Sequence, residues 1–166
     1  VIAGKTLKGV QAVNEIIRTH KLDKYYLTLV AGEIRHAGEI TGYLTKDEDK
    51  NQVRISKREG MGAKTLTKYR PIAHAKGYTL LEIHLITGKT HQIRAHLAYL
   101  DMPILGDSRY GINNLNRQLK MKYQALCSRK IKFGKIDDKR YSYLSEKEFI
   151  CPDPWFVDSF YKREFK

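Results

Sequence analysis

The sequence predicts an α+β domain on a mixed, mostly antiparallel sheet with flanking helices. Apolar residues recur at helical spacing in several segments, and strand-like runs rich in aromatic and β-branched residues lie between those segments. Helices and strands show no regular βαβ alternation, which favours an antiparallel sheet over a parallel one. At 166 residues, the chain is long enough for one compact domain.

An amphipathic helix is predicted near the N-terminus. Thr6 can accept a hydrogen bond from the first turn of a helix over residues 7–18. Apolar residues recur in this segment every three to four positions, which predicts a buried stripe. The stripe consists of Leu7, Val10, Val13, Ile16 and Ile17.

Strands and loops are predicted next. Residues 25–31 combine aromatic and β-branched residues and are followed by Gly32, which favours a largely buried strand. A second strand is predicted within residues 39–44. The polar run 46–52 and the glycine-containing segment 60–62 are predicted to be surface loops.

A hairpin and a helix are predicted in the middle of the chain. Segments 63–75 and 78–87 flank Lys76 and Gly77, a short connection whose glycine tolerates a positive φ. Thr90 can cap a helix that runs to about residue 100.

The C-terminal third predicts a short helix over residues 115–122, a strand over residues 125–133, and a last amphipathic helix. Asp153 and Pro154 mark the start of that helix. Its apolar face includes Phe156 and Phe160.

The charge favours a polyanionic partner. Lysine and arginine number 31 against 18 acidic residues, a formal net charge of +13, and the basic residues are spread along the chain. Nucleic acid is favoured over a membrane surface or simple solvation. No apolar run is long enough to cross a membrane, so we expect a cytoplasmic protein. Cys127 and Cys151 match neither a metal motif nor a disulfide framework.

The densest cluster of chemically capable side chains lies where the hairpin enters the middle helix. A helix start with nearby lysine suits a phosphate or carboxylate, and helical spacing predicts that Arg94 is presented to solvent. The alternative is that His91, Gln92 and His96 only cap and hydrogen-bond the helix start. The cluster comprises Thr87, Gly88, Lys89, Thr90, His91, Gln92, Arg94 and His96.

Two other kinds of site are disfavoured for this cluster. A nucleotide-binding P-loop needs a glycine where Ile83 stands. The spacing of His91 and His96 places the two rings on different helix faces, and no cysteine pair accompanies them. We therefore expect neither a P-loop nucleotide site nor a metal site in this cluster.

Three blocks, in the same order, resemble motifs of one family. TGKTHQIRAHLAYLDMPILGDSRYG, at residues 87–111, resembles the TGRTHQIRxH…PIxGDxxYG block of RluA-type ribosomal large-subunit pseudouridine synthases. KYYLTLVAG at residues 24–32 is similar to that family's KxYxALVxG strand, and GAKTLTKYRPI at residues 62–72 is similar to its GxxAxTxY stretch. The resemblance fades after about residue 133.

The resemblance implies the pseudouridine synthase catalytic fold and the cofactor-free isomerisation of uridines in RNA. Large-subunit ribosomal RNA is favoured, in the manner of the type C or D enzymes. By motif, Arg94 is expected to pair with the catalytic aspartate and Tyr26 to contact the base, while Tyr25 points to the opposite face. The residues expected to contact RNA are Lys89, Thr90, His91, Gln92, His96 and Arg109.

The resemblance also implies a partial domain. The family's aspartate lies in an RLDxxTSG motif, and the chain opens at Val1 with no such motif. Asp23 is disfavoured as a substitute because no Thr-Ser-Gly follows it. Residues 1–166 are thus expected to be the C-terminal portion of a single catalytic domain, inactive alone. A catalytically silent RNA-binding module and a synthase acting on transfer RNA remain alternatives.

Overall fold

The computed structural model describes residues 2–47 and 52–162. Within these residues one sheet has the strand order β3-β2-β4-β5-β1-β6-β7, and every neighbouring pair is antiparallel. The strands are β1 (Leu22–Ala31), β2 (Gly38–Asp47), β3 (Gln52–Ser56), β4 (Ala63–Ala75), β5 (Tyr78–Leu85), β6 (Leu126–Phe133) and β7 (Glu148–Ile150). The predicted α+β class with an antiparallel sheet is confirmed.

Four α-helices flank the sheet in the described part of the chain, together with one 3-10 turn at Ser142–Leu144. The predicted hairpin is present, with Lys76 and Gly77 at φ 51° and 79°. The helices are α1 (Leu7–Arg18), α2 (Gln92–Tyr99), α3 (Asn113–Gln118) and α4 (Trp155–Lys162).

Helix α1 has the predicted bounds and cap, but its predicted buried stripe is wrong. The Thr6 hydroxyl accepts a hydrogen bond from the Gly9 N–H at 3.1 Å. Of the stripe, only Ile16 is buried, whereas Leu7 is 73% exposed. Ile16 joins a small cluster at one end of the sheet, so α1 packs along only one edge of its apolar face.

The two faces of the sheet carry separate cores. On the first face, α2 contributes Ile93 and Leu97 to a cluster with Leu81 and Ile83 of β5. On the second face, α4 covers Leu27, Leu29 and Leu80 with three buried residues. Those residues are Phe156, Val157 and Phe160. We call the side covered by α2 the first face and the side covered by α4 the second face.

The structure differs from the sequence prediction mainly at the sheet edges. Strands β3 and β7 were not predicted. The expected loop over residues 46–52 is partly strand, because β2 extends to Asp47 and β3 begins at Gln52; residues 48–51 lie outside the described residues. Strand β1 begins at Leu22, so Asp23 lies within a strand and not in a turn.

Candidate active site

The buried side chain of Gln92 holds the turn between β5 and α2 in place by hydrogen bonds. Gln92 is 2% exposed. Its Oε1 accepts hydrogen bonds from the Lys89 N–H at 3.1 Å and the Thr87 hydroxyl at 2.9 Å. Its Nε2 donates to the Leu66 carbonyl at 3.1 Å and the Thr67 hydroxyl at 2.9 Å. The expected contact between Gln92 and RNA is therefore wrong, because burial and these four bonds commit the amide to shaping the turn.

His96 is also misassigned as an RNA contact, because its ring is fully buried. The Nε2 atom lies 3.0 Å from the Thr65 hydroxyl, and Nδ1 has no hydrogen-bond partner among the described residues. Burial lowers the pKa of His96 to about 4, so the ring is neutral at physiological pH. His96 ties α2 to β4 and contributes no charge to the surface.

His91, not Thr90, is the cap residue of α2. His91 has a left-handed backbone with φ 55°, and no side-chain hydrogen bond caps the helix. The predicted cap at Thr90 is wrong because Gln92 bonds the preceding turn from inside the helix. Burial, followed by the charges of Arg94 and Arg109, lowers the pKa of His91. Its Nδ1 lies 3.2 Å from the Tyr110 hydroxyl, which orients the ring at the surface.

Arg94 forms an ion pair inside the chain. Its Nε and Nη2 donate to the two carboxylate oxygens of Asp107 at 2.7 and 2.8 Å. Asp107 is 1% exposed and also accepts hydrogen bonds from the N–H groups of Arg109 and Tyr110. The prediction that Arg94 is presented to solvent is wrong, since its side chain is only 16% exposed and this fork is occupied.

The electrostatics of this pair favour full ionisation of both members. Burial opposes the charge on Asp107, but the hydrogen bonds from Arg94 and from the backbone of Tyr110 and Arg109 outweigh it and lower its pKa. The hydrogen bond with Asp107 raises the pKa of Arg94. The guanidinium also lies 5.1 Å from the centre of the Tyr110 ring. Arg94 therefore holds residues 107–110 against α2.

Tyr26 lies on the first face of the sheet. It is paired with Ile83 of β5 and packs against the cluster to which α2 contributes. Burial raises the pKa of its phenol, and no hydrogen bond engages its hydroxyl within the described residues. Tyr25 lies on the second face, stacked on His84 with ring centres 4.5 Å apart, as the strand alternation predicts.

The β5–α2 turn approaches the part of β1 that carries Tyr26. The Nζ atom of Lys24 lies 3.3 Å from the point that a Cβ atom on Gly88 would occupy. Lys24 is two residues from Tyr26 and therefore projects from the same face. The turn thus adjoins the Tyr26 side of the sheet, which gives one surface with aromatic and cationic groups.

The remaining predicted contacts are exposed at or near this turn. Lys89 and Thr90 are exposed in the turn itself, and Arg109 is exposed in the loop that Asp107 organises. Lys89 has no ion pair within the described residues. By contrast, Lys68 and Arg70 of β4 pair with His84 and Glu82 of β5 and so lie on the second face.

A further cavity among the described residues lies away from this turn. It is an open groove of about 740 Å³ beside α3. Its lining includes Ser108, Arg117, Lys120 and Lys122. This groove is basic but has neither an aromatic platform nor a buried charge. It suits a nucleic acid backbone better than chemistry on a base.

Asp107 and Tyr110 are the residues of this site that the sequence reasoning left without a role. Both stand in the GDSRYG segment that carried the resemblance, so that segment contained the signal. Nothing in the sequence revealed that Asp107 binds Arg94, because that contact depends on how the loop returns to α2.

No helix within residues 2–47 and 52–162 is long and apolar enough to cross a membrane. Across the same residues, no group of three or more His, Cys, Asp or Glu side chains is placed to hold a metal ion. Asp23, the disfavoured alternative acid, contacts His84 Nε2 at 2.9 Å and belongs to the second face with Tyr25.

Comparison with known proteins gives a consistent result. The family model described as RNA pseudouridylate synthase matches residues 1–99. An uncharacterised RNA pseudouridine synthase of Mycoplasma genitalium is 32% identical over 166 residues, covering 94% of this chain and 51% of the relative. Ribosomal large subunit pseudouridine synthase D of Borreliella burgdorferi is 30% identical, and the match covers 99% of this chain and 49% of the relative. The chain spans about half the length of these curated relatives.

Solved structures support the fold. Human RNA Pseudouridylate Synthase Domain Containing 1 superposes with a TM-score of 0.74 at 19% identity, covering 91% of this chain and 62% of that one. Human RNA Pseudouridylate Synthase Domain Containing 4 superposes with a TM-score of 0.71 at 20% identity, covering 95% of this chain and 68% of that one. These similarities confirm the expected catalytic fold.

Proposed function

The chain belongs to the RNA pseudouridylate synthase family, and from this premise we propose that it forms the C-terminal portion of the catalytic domain of an enzyme that isomerises uridine to pseudouridine in RNA. Large-subunit ribosomal RNA is the favoured substrate, since a synthase D of that class is 30% identical over nearly the whole chain. The observation that carries the proposal is the common face shared by Tyr26 and the Gly88 turn.

The reaction breaks the bond between C1′ and N1 of the uridine and joins C1′ to C5, after which C5 loses its proton and N1 gains one. A target base in structured RNA must leave its stack to reach a protein site. Tyr26 offers the ring on which such a base lies, and its raised pKa keeps the phenol neutral. The free hydroxyl of Tyr26 can then donate a hydrogen bond or move a proton.

We place the catalytic aspartate outside residues 1–166. That carboxylate engages C1′ or assists elimination across the sugar, and a nearby cation favours its ionised form. Asp107 occupies the Nε and Nη2 donors of Arg94, so only the Nη1 side of the guanidinium is left for that carboxylate. Lys89, exposed and without an ion pair in the described residues, is the cation that we assign to this carboxylate. Arg94 becomes a positioning residue that fixes the 107–110 loop beside it.

RNA binding involves the exposed part of the turn and the neighbouring loop. Lys89, Thr90, His91 and Arg109 are the proposed contacts, and the basic groove beside α3 offers a second positively charged patch. Backbone contacts of this kind position the RNA, while contacts to the base select the uridine. No cofactor has a role in the proposed reaction.

The proposal is tested by mapping pseudouridines in cells that lack the gene. We expect the loss of one or a few pseudouridines from large-subunit ribosomal RNA and their return when the wild-type gene is restored. If pseudouridines are lost from transfer RNA alone, the substrate is transfer RNA and not ribosomal RNA. An unchanged pseudouridine map would favour a catalytically silent RNA-binding module.

A further inference from the structure

The ammonium group of Lys24 lies at the candidate site without a partner. Lys24 precedes Tyr26 by two residues on β1, so both side chains project from the first face. Its Nζ atom lies 3.3 Å from the position that a Cβ on Gly88 would occupy, so the ammonium lies close against the turn. Within residues 2–47 and 52–162, no hydrogen bond or ion pair engages this nitrogen.

The neighbouring carboxylate does not neutralise Lys24. Asp23 projects from the opposite face of β1, where it contacts His84. Burial lowers the pKa of Lys24, and the charge of Asp23 only partly opposes that effect. A partly buried ammonium has lost hydration, and an anion at the same place would offset that loss. The position is therefore suited to an anionic group that arrives with a ligand.

We propose that Lys24 binds a backbone phosphate of the RNA next to the uridine whose base lies on Tyr26. This inference rests on the proposed function. Side chains two residues apart on a strand stand about 6 to 7 Å apart. That separation is comparable with the distance between a nucleobase and its own phosphate. A nucleotide stacked on Tyr26 thus brings a phosphate within reach of Lys24.

A phosphate fits this position better than the catalytic carboxylate does. Lys89 is exposed in the turn and accessible to a carboxylate from another segment, whereas Lys24 is recessed beside Gly88. A phosphodiester enters the recess together with the nucleotide and presents two unesterified oxygens to the ammonium. Lys24 is then a substrate-binding residue with a defined place along the RNA strand.

The first test compares the salt dependence of RNA binding by the full-length protein and its Lys24→Met variant. The probe is a large-subunit ribosomal RNA fragment that contains the uridine identified by pseudouridine mapping. We expect binding at low salt to weaken roughly tenfold to a hundredfold. The slope of log Kd against log salt should fall by about one. Lys24→Arg should restore most of the affinity and most of the salt slope. Lys8→Met, a control at an exposed position on α1, should match the wild type in both measurements.

The second test locates the phosphate. The same fragment is made with a neutral methylphosphonate at the position 5′ or 3′ to the target uridine. We expect one of these substitutions to weaken binding by the wild type about as much as Lys24→Met does, and to cost the variant nothing further.

Two results would overturn the inference. One is an unchanged Kd and salt slope for Lys24→Met, including the case in which turnover at saturating RNA has fallen, since the amine would then serve the chemistry. The other is that the methylphosphonate substitutions weaken RNA binding by Lys24→Met as much as they weaken binding by the wild type. A wild-type protein that releases no tritium from uridine-labelled RNA would instead contradict the proposed function itself.

Discussion

The ion pair between Arg94 and Asp107 gives a quantitative prediction about the architecture of the site. The Oδ1 atom of Asp107 accepts hydrogen bonds from Arg94 Nη2 and from the N–H groups of Arg109 and Tyr110, while Oδ2 accepts from Arg94 Nε. Asp107→Asn keeps one oxygen but places an NH₂ group against the Nε donor. It also leaves a largely buried guanidinium without its counter-charge. We expect the free energy of unfolding to fall by about 3 kcal/mol.

The assay is urea denaturation of the full-length protein, in a cycle with Arg94→Met. Each single variant leaves one buried charge unpaired, whereas the double variant leaves none. The loss in the double variant should therefore be smaller than the sum of the two single losses by about 2 kcal/mol. Additive losses, or a cost of Asp107→Asn below about 1 kcal/mol, would refute the argument that this pair holds the loop to α2.

The remaining predictions concern burial, backbone conformation and charge. Because the pKa of His96 is lowered from 6.5 to about 4, the unfolded state takes up a proton first as the pH falls. Stability present above pH 6.5 should therefore decline by about 2 kcal/mol by pH 5, and by less in His96→Gln, as urea midpoints at each pH will show. Gly106→Ala should cost about 3 kcal/mol, because φ is 76° and a Cβ would lie 2.0 Å from the Tyr123 carbonyl oxygen. Gly77→Ala, with φ 79° and open space, should cost only about 1 kcal/mol by the same denaturation assay. Lys89→Met should lower the turnover number at saturating RNA by at least about a hundredfold, measured in single-turnover reactions; equal turnover would remove Lys89 from the ion pair with the catalytic aspartate.

Local sequence signals predicted the elements that local chemistry determines. The cap at Thr6 and the Lys76-Gly77 connection each depend on neighbouring residues, and both are present. The alternation along β1 likewise placed Tyr25 and Tyr26 on opposite faces. The short edge strand β7, with three exposed residues, has too little pattern to be seen in the sequence.

The errors at the site share one physical cause. Gln92 and His96 are polar, so they were assigned to a ligand, yet both are buried and serve the packing of α2. The family motif pairs Arg94 with an external carboxylate, and Asp107, 13 residues away, gives no local sign in the sequence that it returns to α2. The spacing of residues along the sequence reveals an apolar face of a helix or strand. It does not reveal which polar side chains contact one another in the folded chain.

We propose that uridine chemistry takes place on the sheet face that carries Tyr26. The most direct test is tritium release from large-subunit ribosomal RNA labelled at C5 of uridine, using the full-length protein and two neighbouring substitutions. We predict that the wild type and Tyr25→Leu release tritium, whereas Tyr26→Leu is slower by at least about a hundredfold. Release by Tyr26→Leu at the wild-type rate, or a loss confined to Tyr25→Leu, would contradict the account.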